Sequence, residues 1–260
     1  MSSPLSHRRL ILPTAIIGIG LSGFFDGIML HQVLQWHHLL SLVPGEPFRE
    51  IGTQILADGL FHVLMYLVTA GGLWLLWRRR GVLAQGGAGW RTVAGGSLLG
   101  FGTWNVVDVG FFHWILGIHR IRVNVPDPMA YDVSWLVAFG LAPLVSGWLL
   151  LRGGGSGHRG RGAPAAGGLG LLALVGGALA ARPQPNSDTA LVFLAPGSTQ
   201  AIAFNAALAS GAPIVWMDRR GRMMAVSLAG GSSEQLLYHS GALLVTRSPV
   251  LAGCAAAIQA

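Results

Sequence analysis

The chain has 260 residues, of which 52% are hydrophobic and only 10% are charged. Soluble domains average roughly 25% charged residues, so this composition excludes an ordinary soluble protein and indicates a membrane protein. The formal net charge is +7, but the basic residues are all arginines that cluster beside long apolar runs rather than forming a binding stripe. We therefore expect no nucleic-acid partner, and the lone Cys254 provides no internal disulfide.

Five apolar stretches are long enough to cross the hydrocarbon core of a bilayer. They lie near residues 11–34, 55–77, 93–117, 132–151 and 164–181. The first follows a basic prefix like that of a signal peptide, but its apolar character continues to Leu34, which predicts an uncleaved helix. The last is short and rich in glycine and alanine, so a linker or interfacial segment is the alternative. The expected fold is mainly α, a polytopic transmembrane bundle of four or five spans.

The distribution of arginine predicts the orientation of the spans. The N-terminal arm and the loops 78–91 and 152–163 together contain nine arginines and no carboxylate. By the positive-inside rule these segments are cytoplasmic, so the loops 35–54 and 118–131 lie outside. We expect a multi-pass protein of the bacterial inner membrane, embedded in the lipid bilayer, with the part after about residue 182 in the periplasm.

The C-terminal part changes character after the linker sequence ARPQPNSD. TALVFLAP and GALLVTRSPV are typical of strands, and APIVWMDRRGRMMAVSL predicts two strands joined at Asp218–Gly221. STQAIAFNAALASG predicts a helix capped by Ser198 or Thr199 and closed by Gly211, and SSEQLLYHSG predicts a second short helix. The order β-α-β-β-α-β indicates a small α+β, ferredoxin-like domain. The expected domains are a four-helix transmembrane domain at 1–152, a loop, fifth span and linker at 153–187, and the α+β domain at 188–260.

Polar side chains recur on one side of three predicted spans. On the second span they appear at every fourth position, at Gln54, Asp58, His62 and Tyr66. On the first span the i, i+4, i+7 spacing joins His31, Gln35 and His38, with Asp26 about 140° around the helix from His31. On the third span one arc of about 140° contains Asn105, Asp108, His113 and His119. Ionisable groups cost free energy inside a bilayer. Polar sides on three spans therefore indicate a functional site or an interior in which these groups pair with one another.

Imidazoles and carboxylates without a thiolate suit copper(II), iron, manganese or zinc. We expect a transition metal, with copper or iron preferred and zinc as a further option, bound by His31, His62, His113, Asp58 and His38. The residues expected to orient these ligands or relay protons are Asp26, Gln35, Asn105, Asp108, His119 and His37. Haem held by two histidines is the alternative cofactor. Hydrogen bonds alone, or a proton path, would explain the same residues without any ligand.

Three sequence blocks are similar to the signature of the bacterial membrane-protein family called domain of unknown function 2243: GFFDGIMLHQVLQWHHLLS, ADGLFH and GFGTWNVVDVGFFHWILGIHRIRV. The resemblance covers residues from about 10 to 152 and implies a four-span core with no assigned activity. The family usually has glutamate in place of Asp108 and a second histidine in place of Arg120. The first difference keeps a carboxylate. The part from about residue 188 onward resembles a domain appended in some members.

A second resemblance concerns the copper-binding membrane subunit of particulate methane and ammonia monooxygenases, where a carboxylate precedes a histidine by four residues, as Asp58 precedes His62. The further histidine of that subunit is missing here, since Leu75 occupies its neighbourhood. The expected function is a periplasm-facing metal site in a redox or metal-handling role, with a respiratory or copper-dependent membrane oxidase as partner. The alternatives are a haem-binding electron-transfer protein, a proton or ion conductor, and a structural membrane partner.

Overall fold

The computed structural model describes residues 4–34, 36–49, 51–84, 89–123, 125–152, 161–181, 188–229 and 232–247. The chain divides into two units, Met1–His37 with Leu64–Ala180 and His38–Val63 with Ala181–Ala260. The first unit is helical, and the second contains a sheet. The domain boundaries at residues 152 and 187 remain a prediction.

Helices make up the transmembrane part, and three of them change from α to π geometry along their length. The α-helices are α1 (Pro4–Asp26), α2 (Glu46–Arg49), α3 (Ile51–Arg78), α4 (Arg80–Ala84), α5 (Trp90–Val107), α6 (Pro128–Trp135), α7 (Ala142–Arg152) and α8 (Gly162–Ala180). The π-helical segments are Gly27–Val33 after α1, Asp108–Ile115 after α5, and Leu136–Leu141 between α6 and α7. Segments of π-helix are rare and frequently lie at functional sites.

Four helices in the described part of the chain are long and apolar enough to cross a membrane. They are Arg9–His31, Leu56–Arg78, Pro128–Arg152 and Gly162–Leu179. The predicted span at 93–117 corresponds to the helical run from Trp90 to Ile115, which is long enough but is not among these four. Its glycines and the polar Asn105 and Asp108 make it less apolar. It packs against α1, α7 and α8.

Glycines let α1 and α5 approach until their backbones touch. A Cβ atom on Gly18 would overlap the carbonyl oxygen of Ser97, and a Cβ on Gly100 would overlap that of Ala15. Small residues at a helix interface are the usual means of close packing in lipid, where apolar side chains gain little by leaving the solvent. The close contact therefore depends on the absence of side chains at these two positions.

The second unit contains the predicted ferredoxin-like sheet. Its elements are β1 (Thr189–Leu194), α9 (Gln200–Ser210), β2 (Ile214–Met217), β3 (Met223–Ser227), α10 (Glu234–His239) and β4 (Ala242–Thr246). The strand order is β2-β3-β1-β4 with antiparallel neighbours, and Val192 of β1 pairs with Met224 and Val245. Thr199 caps α9, and Gly211 closes it in the left-handed conformation at φ 65°. The predicted α+β fold is confirmed.

Both faces of the sheet are covered within this unit. Val192, Met224 and Val226 face a core that includes residues of α9 and Leu237 of α10. On the opposite face Phe193 and its neighbours pack against Leu56 of α3. The strands therefore alternate between two apolar environments, which explains why almost every residue of β1 is buried.

We predict that Gly100→Ala lowers the thermal stability of the detergent-purified protein. Overpacking costs about 1–3 kcal/mol in a well-packed core, and here the added methyl group meets backbone that cannot rotate away. Gly168→Ala in α8 is the matched control, because a Cβ there has no neighbour within 4 Å. Its melting temperature should stay unchanged or rise, since alanine favours helix over glycine. Equal melting temperatures for the two variants would contradict the proposed backbone contact.

Candidate metal centre

A first group of potential ligands lies where α1 ends. Asp26, His31 and His37 are buried, and each offers an atom within 4.8 Å of those of the other two. The Nε2 atoms of His31 and His37 are 3.1 Å apart. We call these three residues half-site 1.

A second group lies where α5 ends. Asp108, His113 and His119 are also buried and meet the same distance limit. The carboxylate of Asp108 lies between the two rings, with its Oδ2 3.2 Å from His113 Nε2 and its Oδ1 3.3 Å from His119 Nε2. We call these residues half-site 2.

The π-helical segments explain how aspartate and histidine meet in each half-site. Asp26 precedes His31 by five positions, and Asp108 precedes His113 by five. In an α-helix that spacing leaves the two side chains about 140° apart. In a π-helix hydrogen bonds join residues five positions apart, so the wider turn brings both side chains to one side. Segments Gly27–Val33 and Asp108–Ile115 provide this geometry.

The two half-sites are copies of one sequence pattern, Asp-x4-His-x5-His, 82 positions apart. The helix contact repeats with the same offset, because Gly18 meets Ser97 while Gly100 meets Ala15. The helices that carry the half-sites are therefore internal repeats. This repeat was not predicted above, although its fixed spacing is visible in the sequence.

Hydrogen bonds fix the ring orientation of two of these histidines. His37 Nδ1 lies 3.0 Å from the carbonyl oxygen of Ile121, which can only accept, so this nitrogen carries a proton. His113 Nδ1 lies 2.9 Å from Asp132 Oδ1 and donates to it in the same way. In a neutral ring the Nε2 atom then holds a lone pair directed into the half-site. Burial, followed by the nearby His31 and His119, holds the pKa of His37 well below its ordinary value, which favours the neutral ring.

The Nε2 atom of His113 faces Asp108 inside half-site 2. It is fully buried and lies 3.2 Å from a carboxylate oxygen of Asp108. Nδ1 of His119 has no hydrogen-bond partner among the described residues.

Asp132 is not a member of half-site 2 but supports it through hydrogen bonds. It is fully buried, and its carboxylate accepts hydrogen bonds from His113, from Arg120 at 2.7 Å and from the backbone N–H of Ile121 at 3.0 Å. The indole of Trp114 donates to it as well. Asp132 was not among the predicted site residues. The available signal was a carboxylate at the start of the apolar stretch 132–151.

Asp58 has the corresponding local environment in the second unit. Its carboxylate binds His38 Nδ1 at 2.7 Å and the backbone N–H of Leu39 at 2.9 Å. His38 and Leu39 lie 82 positions before Arg120 and Ile121, the partners of Asp132. The hydrogen bond with Asp58 raises the pKa of His38 above its ordinary value. The repeat therefore extends to the partners of the carboxylate, with histidine in one copy and arginine in the other, although the two aspartates themselves are 74 positions apart.

The structure brings together only part of the predicted ligand set. His31 and His113 lie in the half-sites, beside four residues predicted only to support them: Asp26, His37, Asp108 and His119. The predicted helical spacing that joins His31, Gln35 and His38 is wrong. The π-helical segment ends at Val33, and the backbone N–H of Trp36 donates to the carbonyl oxygen of Leu30, so His38 lies beyond the helix. Gln35 itself lies outside the described residues.

The remaining predicted residues have other contacts. Asn105 donates to Ser22 Oγ and accepts from Trp135 Nε1, each at 2.7 Å, so it ties α5 to α1 and α6. His62 Nδ1 donates to the Asp58 carbonyl oxygen at 2.8 Å within the second unit. The role of His62, Asp58 and His38 as ligands stays a prediction.

Comparison with known proteins gives one match. The family model described as predicted membrane protein (DUF2243) matches residues 13–154, which is more than half of the chain and includes both half-sites. No curated protein and no solved structure matches the chain.

We predict that Asp132→Asn destabilises the metal-free protein by about 3–5 kcal/mol, the usual cost of removing one partner of a buried ion pair. The amide cannot accept from His113, Arg120 and the Ile121 N–H as the carboxylate does. Glu234→Gln is the control, because its pair with Arg247 is exposed and should contribute at most about 1 kcal/mol. The measurement is thermal unfolding in detergent with a chelator present. A loss no larger than that of the control would contradict the structural role of Asp132.

Proposed function

This chain belongs to the DUF2243 family of predicted membrane proteins, and we propose that it binds a transition metal through the two half-sites. The observation that carries the proposal is the orientation of His37 and His113. Both donate through Nδ1 to an oxygen outside the half-site, which leaves Nε2 to coordinate. Metal-bound histidines are usually oriented in this way by a carbonyl or a carboxylate.

The donor atoms favour particular metals. Each half-site contains two imidazoles and one carboxylate, with no thiolate or thioether among its members. This set suits copper(II), iron, manganese and zinc rather than copper(I). We propose copper or iron, because both change oxidation state and zinc does not. The proposed role is redox chemistry or metal handling for a membrane oxidase.

The geometry supports a metal ion better than haem. Haem held by two histidines requires the porphyrin plane to lie between the rings. The Nε2 atoms of His31 and His37 are only 3.1 Å apart, which leaves no room for that plane. A proton path is the second candidate, because His113 lies between the carboxylates of Asp108 and Asp132. One imidazole between two carboxylates can pass a proton from one to the other.

We predict that the detergent-purified protein contains stoichiometric copper or iron and shows no Soret band. The double variant His37→Ala with His119→Ala should lose most of that metal, because it removes one imidazole from each half-site. His239→Ala is the matched control, since this histidine is exposed on α10. A Soret band would show that the cofactor is haem and would contradict the proposed metal ion. Protein that binds no metal, in its purified state or after titration, would overturn the proposal in favour of the proton path.

We further propose that the N-terminus is cytoplasmic, that the membrane is the bacterial inner membrane and that the sheet-containing part is periplasmic. The arginine clusters support this orientation. On the proposed cytoplasmic side, arginine side chains lie over tryptophan rings at Arg78 and Trp74, Arg80 and Trp77, and Arg152 and Trp148. Tryptophan and arginine together are typical of the boundary between lipid and water.

We predict that a cysteine at position 220 reacts with a membrane-impermeant maleimide in intact spheroplasts, whereas a cysteine at position 80 reacts only after lysis. The variants Arg220→Cys and Arg80→Cys are made in a Cys254→Ser background, and both positions are exposed. The reverse pattern of labelling would invert the orientation. Labelling of both positions in intact spheroplasts would place the two segments on one side and contradict the predicted number of crossings.

A further inference from the structure

We infer that the cluster formed by the two half-sites holds two metal ions, one in each half-site. The two internal repeats together then build a dinuclear centre. The inference rests on the proposed function, since it concerns the number and arrangement of the ions. It depends on the directions of the four histidine ring planes in the two half-sites. An imidazole coordinates through a lone pair in the plane of its ring, so an ion bound by two rings must lie near both planes.

Within each half-site the rings satisfy this condition. The planes of His31 and His37 meet at 77°, with centroids 4.7 Å apart. Those of His113 and His119 meet at 73°, with centroids 4.5 Å apart. Steeply crossed planes share a line close to both rings, and an ion on that line can be coordinated by both. In half-site 2 the Asp108 carboxylate already lies within 3.3 Å of both Nε2 atoms.

Across the half-sites one pair of rings does not meet this condition, while the rings of His37 and His113 cross at 76° but lie farther apart, with centroids separated by 6.5 Å. The rings of His37 and His119 are stacked, with an angle of only 21° between their planes and centroids 4.9 Å apart. Nearly parallel planes meet only far from the rings, so one ion cannot lie in the plane of both. The four histidines therefore cannot share a single ion through their lone pairs. The potential ligand atoms instead form two groups of three, one in each half-site, with the atoms of each group within 4.8 Å of one another.

The repeat supplies both points with the same ligands. Each half-site has one aspartate followed at the same spacing by two histidines, and the contact of α1 with α5 repeats with the same offset. Two imidazoles and one carboxylate form the ligand set of non-haem iron sites, which leave coordination positions open. We therefore assign each half-site to one divalent cation with open positions, with iron(II) as the best match.

The experiment titrates the chelator-treated full chain in detergent with copper(II), which N/O sites bind most tightly of the divalent series. We expect two tightly bound ions per chain. His31→Ala with His37→Ala should leave one ion, and His113→Ala with His119→Ala should also leave one. His239→Ala should keep two, which controls for copper bound by exposed histidine.

Electron paramagnetic resonance of the copper-loaded wild type tests the arrangement without any variant. Two adjacent copper(II) ions should couple, which gives a half-field transition and a reduced main signal, while each double variant should show one uncoupled copper. A single ion in the wild type that both double variants lose would overturn the two-ion inference and leave the proposed function intact. Two uncoupled ions would overturn the dinuclear centre alone. Absence of tight binding would overturn both the inference and the proposed function.

Discussion

The backbone contact between α1 and α5 is the constraint on which the rest of the cluster depends. Each helix carries ionisable groups that would cost several kcal/mol if they faced lipid. Gly18 and Gly100 remove the side chains that would hold the two backbones apart. Because the helices touch there, the π-helical segments that follow both run into the same small volume. His37 and His119 can then stack, and the polar groups contact one another instead of lipid.

A buried carboxylate and a backbone carbonyl also hold the two half-sites together through hydrogen bonds. After each π-helical segment the chain leaves the helix, so its backbone needs new hydrogen-bond partners. Asp132 accepts the N–H of Ile121, and the carbonyl of the same Ile121 accepts the Nδ1 proton of His37. One residue of the second repeat thereby orients a histidine of the first. This linkage connects half-site 1 to half-site 2 through the backbone, and a displacement of one half-site would disturb both.

The sequence predicted the fold better than the site, for reasons visible in single residues. The spans and the ferredoxin-like order follow from apolar run lengths and from signals such as Thr199 and Gly211, which act locally. The grouping of Asp26 with His31 was hidden, because an α-helical wheel places them on different sides and nothing local announced the π turn. The first helix ends before His38, so His37 and not the predicted His38 is the neighbour of His31.

The two repeats have kept their ligand spacing and diverged in the residue next to the last histidine. In the first repeat His38 pairs with Asp58, and its pKa is raised by that bond. Such a pair stabilises the folded state fully below the ordinary histidine pKa of about 6.5, and that contribution is lost as pH rises through the folded-state pKa. In the second repeat a guanidinium takes the place of that imidazole, since Arg120 pairs with Asp132. The two repeats therefore share the spacing of aspartate and histidine, while a histidine pairs with the supporting carboxylate in one repeat and an arginine in the other.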